Sequence, residues 1–206
     1  MTQAWLTRAL RVRAIAQTGR AYSRDPFDLE RFGELGAIAE ALLADLVAAS
    51  PERVSDVFLP EQGYPTPKVD VRAGVFRDDR ILLVREASDG CWSLPGGWAD
   101  EQQSAAHSVA REVREESGYS VAVEKLVAVK DRSLHAYLPR RLEHIYKLFF
   151  LCRLIDGTPR ASIETTEVDF FPLDALPALS VGRTLAADIA LLDLHRREPG
   201  LATYFD

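Results

Sequence analysis

Cysteine is almost missing from this chain. Cys91 and Cys152 stand far apart with no partner motif, which excludes a disulfide framework and a thiolate metal knuckle and makes reducing cytoplasm the expected home. Long apolar runs are missing too: nothing approaches the roughly 18 consecutive apolar residues of a membrane span, and the N-terminus has no apolar signal-peptide core. Basic charge is not in excess. A formal charge of −6 argues against a non-specific nucleic-acid binder, which needs a basic face to neutralise phosphates. The four histidines (His107, His135, His144, His195) are scattered and form no ligand cluster, and there is no internal repeat or low-complexity segment.

What is present is an ordinary globular composition. With 47% apolar and 27% charged residues in 206, the chain is expected to fold as one domain with an appendage, or as two small domains. Residues 3–18 and 28–49 read as two helices. In the second, Asp28 is the expected N-cap and Leu35, Ile38, Ala39, Leu42, Leu46 and Val47 form an apolar stripe. A hairpin of this size cannot bury enough apolar surface alone, so it is expected to pack on the rest of the chain or on a second copy. A Pro- and Gly-rich linker from Ser50 to Pro67 follows, carrying Phe58 and Tyr64. From Lys68 the period becomes two, and Asp78-Asp79 mark a turn before RILLVRE, which predicts a strand pair. Further strands are expected at 121–130, 142–154 and 166–171, with a turn at Asp156-Gly157. A last helix should span 183–196, carrying Leu185, Ile189 and Leu192 on one side.

The chemistry concentrates in GWADEQQSAAHSVAREVREESGY, residues 97–119. Ala105, Ala106, Val109, Ala110 and Val113 recur at helical spacing, Ser104 can cap the start and Gly118 can end it. Glu112, Glu115 and Glu116 then share one face, because residues three and four apart are neighbours on a helix. Each like-charge pair costs about 0.2–0.5 kcal/mol on an exposed helix and more beside a core. Oxygen-only ligands of this kind suit Mg²⁺ or Mn²⁺ rather than Zn²⁺.

This segment resembles the signature box of the Nudix hydrolases: a Gly, five residues, a Glu, seven residues, then Arg-Glu-aliphatic-x-Glu-Glu-x-Gly-aliphatic. Gly97, Arg111, Glu112, Val113, Glu115, Glu116 and Gly118 match in register. Gln103 stands where the box has its first Glu, and Tyr119 where it has its final aliphatic residue. That Glu commonly helps to hold the box Arg, so Asp100 or Glu101 is expected to substitute. The resemblance implies an α/β fold, a Nudix α/β/α sandwich with a mixed sheet over residues 66–206, preceded by a helical hairpin and linker over 1–65. The N-terminal part is similar to the extension of a Nudix subgroup that hydrolyses nucleoside diphosphates linked to another group, as ADP-ribose and CDP-choline pyrophosphatases do, through YSRDPFDLERF, GYPTPKVDVRAGVF, ILLVREASDGCWSLPGGWAD and YKLFFLCRL.

The resemblance implies an Mg²⁺- or Mn²⁺-dependent pyrophosphohydrolase that releases a nucleoside monophosphate. Glu112, Glu116 and Glu115, with the Gly96 or Gly97 carbonyl, are the expected metal ligands; Arg111, Glu112 and Glu115 are the expected catalytic residues. Glu164 and Glu167 are candidates for a general base. Arg72, Arg85 and Trp98 are the expected substrate-binding residues, since Arg clamps phosphate oxygens in a bidentate fork and an aromatic ring can wall the pocket. Residues 131–141 are expected to recognise the group beyond the diphosphate. The partner is a small-molecule nucleotide derivative, not nucleic acid or membrane, and the chain is expected to be a homodimer through its N-terminal helices. Two other readings stay open here: hydrolysis of nucleoside triphosphates or capped RNA ends, and, because of Gln103, a degenerate ligand-binding module.

Overall fold

The computed structural model describes residues 3–48, 50, 53–54 and 63–206. By its contacts the chain divides into two compact units, Met1–Pro67 and Lys68–Asp206. No helix among the described residues is long and apolar enough to cross a membrane.

The first unit is a pair of helices, α1 (Gln3–Tyr22) and α2 (Pro26–Val47). The true N-cap of α2 is Asp25, three residues before the expected Asp28: its carboxylate accepts from the N–H groups of Phe27 and Asp28 at 2.9 and 3.0 Å, and Pro26 supplies a first turn that needs no donor. The helices meet through small residues, with Ala9, Ala16, Ala39, Leu43 and Ala44 buried. Gly19 admits the Phe32 ring, where any Cβ would lie 2.4 Å from it. The expected stripe therefore divides. Ala39 turns inward, while Ile38, Leu42 and Val47 stay exposed, as do Trp5, Ile15 and Phe27. Of the two linker aromatics, Tyr64 packs edge-on against Tyr22 at 6.5 Å, and Phe58 lies outside the described residues.

The second unit is a mixed sheet between two helices. Its strands are β1 (Lys68–Arg77), β2 (Arg80–Glu86), β3 (Trp92–Ser93), β4 (Tyr119–Asp131), β5 (Ile145–Gly157), β6 (Thr165–Pro172) and β7 (Tyr204–Phe205); its helices are α3 (Ala105–Ser117) and α4 (Ala186–Arg197). The order is β3-β2-β1-β5-β4-β7, with β6 also on β2. Asp78 and Asp79 make the β1–β2 turn with φ of 50° and 59°. Beyond that turn β1 and β2 diverge, and residues 95–99 lie along β1 instead: the N–H groups of Val71 and Ala73 donate to the carbonyls of Gly97 and Pro95, and Ala99 N–H donates to Val69. On its other side β1 pairs in parallel with β5, from Lys68 opposite Ile145 to Val75 opposite Cys152.

Each sheet face has its own core. Val71, Ala73, Val75, Leu82, Phe150 and Phe170 pack with Val109 and Val113 of α3, whereas Ile81, Leu83, Val127 and Phe149 pack with Ile189 and Leu192 of α4. Neighbours such as Leu82 and Leu83, or Phe149 and Phe150, serve opposite faces, as the strand period requires. The last helix starts later than 183, with Leu185 as its N-cap, because the Asp188 carboxylate takes the Leu185 N–H at 2.8 Å. The Asp156-Gly157 turn is instead the end of β5, where Gly157 pairs with Tyr119.

Candidate active site

One cavity of about 780 Å³ opens in the second unit. Its acidic side comes from α3, whose start is capped by Ser104 accepting from His107 N–H and whose end is turned by Gly118 at φ 77°. Burial of Val109 and Val113 fixes the roll of the helix, and that roll carries Glu116 inward and leaves the Glu115 side chain 56% exposed. Gly96 makes the close approach possible. With φ 142°, it hugs β1 so tightly that a Cβ would lie 2.0 Å from the Val71 carbonyl oxygen. Its N–H donates to Glu116 Oε2 at 2.8 Å, and its carbonyl accepts no backbone hydrogen bond among the described residues, unlike that of Gly97. At Gly97 a Cβ would come within 3.1 Å of Glu112 Oε2, so both glycines keep space beside the two carboxylates.

Arg111 organises the outer part of this wall. It donates to Asp100 at 2.8 Å, Glu112 at 2.9 Å and Glu115 at 2.6 Å. Asp100 thus supplies the carboxylate that Gln103 cannot. The replacement is not complete, because Gln103 Oε1 and Arg111 Nε are both buried without a partner.

The opposite wall holds a carboxylate in the reverse situation. Asp70 accepts both forks of Arg72, at 3.0 and 2.9 Å, and the Lys147 ammonium at 2.6 Å, while Arg72 also donates to the Leu94 carbonyl. Burial pushes Asp70 up, but the two cations outweigh it and hold the carboxyl at about 2. Burial, joined by repulsion from Arg72 and opposed by Asp70, brings Lys147 down to about 8. Glu116 has no such compensation: burial, helped by Glu86 and Glu112 and opposed only by Arg72 and the Gly96 N–H, pushes it up to about 8. Glu112 is raised as well, first by burial. Next to Lys147, whose ammonium lies 5.2 Å from the Tyr137 ring, Lys130 and Tyr137 both donate to the buried Asp188 of α4, at 2.7 and 2.8 Å.

Among the described residues no three His, Cys, Asp or Glu side chains are already gathered as a metal cage. The donor set nonetheless fits a hard divalent ion. It is all oxygen, and two of its carboxylates, the buried Glu116 and the half-buried Glu112, are pushed up by burial more than their cationic neighbours offset.

The cavity brings together Arg72, Gly96, Trp98, Arg111, Glu112, Glu115, Glu116 and Glu164. Arg85 is not in its lining: its guanidinium is held by Glu167 at 2.5 Å and the Gly90 carbonyl at 2.8 Å, on the strand face turned away from the cavity, and Glu167 stays there with it. Arg72 lies in the lining, though its donors are taken by Asp70 and Leu94 rather than left as a free clamp. Trp98 is 44% exposed at the rim.

Reading the sequence did not find Asp70, Glu86, Lys147 and Arg183, all of which line the cavity; of the expected 131–141 segment, Arg132, Leu138, Pro139 and Arg141 line it. The signal for two of them was there. Asp70 and Arg72 sit on one face of β1, two residues apart, and Lys147 interrupts the otherwise apolar run from Ile145 to Leu151 with a charge that strand burial tolerates only when paired.

Residues 66–189 match the family described as the NUDIX domain, and residues 3–58 match the UDP-X-like, N-terminal oligomerisation domain. The chain is 44% identical to the Bacillus subtilis protein YjhB, provisionally named an ADP-ribose pyrophosphatase, over 98% of this chain and 97% of that one. A solved structure of a UDP-X diphosphatase is similar along its whole length, with 32% identity, full coverage of both chains and a TM-score of 0.63. A Streptococcus suis ADP-ribose pyrophosphatase structure shows 43% identity and a TM-score of 0.63, covering 68% of this chain and all of that one.

Proposed function

The chain belongs to the Nudix hydrolases, and from that premise we propose that it cleaves the diphosphate of a nucleoside diphosphate linked to another group, of ADP-ribose, nucleotide-sugar or CDP-alcohol type, with Mg²⁺ or Mn²⁺. The observation that carries this reading is the buried Glu116 beside the half-buried Glu112, both raised by burial, facing a cationic wall across one cavity. Whole-length similarity to YjhB and to the UDP-X diphosphatase structure supports the substrate class.

In this reading Glu112, Glu116 and the Gly96 carbonyl hold the ion. A bound divalent ion lowers the pKa of its water and neutralises developing charge on the leaving phosphate. The protein supplies the rest. Arg111, braced by Asp100, positions Glu112 and Glu115. Glu115, the most exposed of the three, stands nearest to solvent as a further ligand or as the group that orients the attacking water. Glu164, in the turn before β6, is the better placed of the two candidate bases, since it lines the cavity and Glu167 does not. Arg72 and Lys147 add positive field over the substrate oxygens without leaving Asp70.

We assign residues 1–65 to an oligomerising extension and 66–206 to the catalytic domain, and take the exposed Trp5, Ile15, Ile38 and Leu42 as surface that a second copy covers in a homodimer. A cytoplasmic location is part of the same proposal, supported by the two free cysteines. The test is a panel of ADP-ribose, UDP-glucose, CDP-choline and nucleoside triphosphates with Mg²⁺ and Mn²⁺, scored by the position of the product phosphate. Nucleoside monophosphate from the linked diphosphates is the expected product; faster turnover of triphosphates would overturn the substrate class.

A further inference from the structure

The cavity has a second, unused electrostatic feature. Arg132, at the start of the 3-10 turn Arg132–Leu134, lines the cavity and is only 5% exposed. Its Nη2 donates to the carbonyls of Pro139 at 2.8 Å and Gly182 at 3.5 Å, and the Tyr137 ring lies 5.6 Å from its Cζ. Among the described residues no carboxylate comes within ion-pair reach of it. The nearby acids are committed elsewhere: Asp70 to Arg72 and Lys147, Asp131 to Ser133 and His144, Asp188 to Lys130 and Tyr137. Arg141, also in the cavity lining, is half-exposed and has Glu143 at 3.3 Å. Of the four cations Arg72, Lys147, Arg132 and Arg141, Arg72 and Lys147 share Asp70 and Arg141 has Glu143, so Arg132 is the one without a carboxylate at ion-pair distance among the described residues. Burial first, and then repulsion from Arg141, lower the Arg132 pKa, as expected of a guanidinium short of counter-charge.

A buried cation is costly unless paired. Carbonyl dipoles and one ring offset part of that cost here, and an anion entering the cavity would offset more. We propose that Arg132, with Arg141 at the rim, forms an anion subsite for a second acidic group of the substrate, a phosphate or carboxylate carried by the linked moiety away from the diphosphate. This rests on the diphosphatase reading, with cleavage at the acidic wall, and narrows its substrate class to acidic linked groups. The same contacts could serve only as a staple, since Arg132 joins the Pro139 and Gly182 segments and Leu138 N–H donates to the Val181 carbonyl at 3.2 Å. Alternatively Arg132 could serve the scissile diphosphate itself. Both alternatives affect every substrate alike.

The test compares nucleoside diphosphate-glucose with nucleoside diphosphate-glucuronate, which differ in one carboxylate, using the better of the uridine and adenosine series. The wild type should favour the glucuronate in kcat/KM by about tenfold, the size of one charge-assisted contact. Arg132→Gln should bring that ratio close to one by raising KM for the acidic substrate alone, and Arg132→Lys should restore part of it. A wild-type ratio near one, or an equal loss on both substrates, overturns the proposal. If Arg132→Gln fails to fold by circular dichroism, the exposed Arg141→Gln decides: the ratio should fall about threefold, and an unchanged ratio sinks the subsite. Should neither sugar be cleaved, the ratio of calorimetric Kd values for the same pair decides the subsite, and the wider substrate panel decides the diphosphatase reading.

Discussion

Asp70 and Glu116 are both buried carboxylates lining one cavity, yet one is held at about 2 and the other pushed up to about 8. The difference lies in their partners. Asp70 has a bidentate guanidinium and an ammonium; Glu116 has one backbone N–H, a more distant Arg72, and two other acids nearby. The first carboxylate is fully counter-charged and reads as architecture. The second carries charge it cannot balance from protein alone, and such imbalance in a cleft marks the place where chemistry is done.

Removing the counter-charged carboxylate should cost the most. Asp70→Asn leaves two buried cations without their carboxylate and is expected to lower stability by about 3–5 kcal/mol, read from denaturant midpoints. Glu112→Gln and Glu116→Gln should do the opposite: each leaves the melting temperature near that of the wild type but lowers metal-dependent turnover by well over about tenfold, in steady-state assays. Unchanged turnover in both would erase the distinction between the walls.

The same contrast should appear in pH. Because the folded Asp70 pKa lies below its usual value, its contribution is fully present above about pH 4 and is lost as pH falls through about 2, a loss of about 2 kcal/mol. Glu116 has the reverse sign. Its folded pKa is raised, so in metal-free protein its contribution is present below its usual value of 4.5 and lost as pH rises through about 8. Thermal melts across pH, with and without Mg²⁺, should show the alkaline loss shrink when the ion is added.

Smaller effects test the outer rim. Asp100→Asn should cost about tenfold in kcat by leaving Arg111 braced only by Glu112 and Glu115, and adding Gln103→Glu to that variant should recover much of it, since a carboxylate there would meet the unpartnered Arg111 Nε. Arg85→Ala, outside the cavity, should change kcat/KM by less than about twofold.

The two walls also differ in how far they could be read from sequence. The acidic one is written in a single segment: Ser104, Val109, Val113 and Gly118 fix where the helix starts, faces and stops, so the placement of its glutamates is local arithmetic. The Nudix α/β/α fold was legible for the same reason, since strand and helix periods are local. The basic wall is not local. Asp70, Arg132, Lys147 and Arg183 come from four separate stretches, and only the parallel pairing of β1 with β5 puts Asp70 directly opposite Lys147. Arg72 and Arg85 look alike in sequence, two strand arginines beside the motif, and their fates diverge because pairing of β2 with β6 sets Arg85 opposite Glu167, whereas Arg72 shares a face of β1 with Asp70.

Manganese binding followed by electron paramagnetic resonance goes most directly to the central claim. The wild type should bind Mn²⁺, and the Glu112→Gln, Glu116→Gln double variant, still folded, should bind at least about tenfold more weakly. Equal binding by the two proteins would contradict the account.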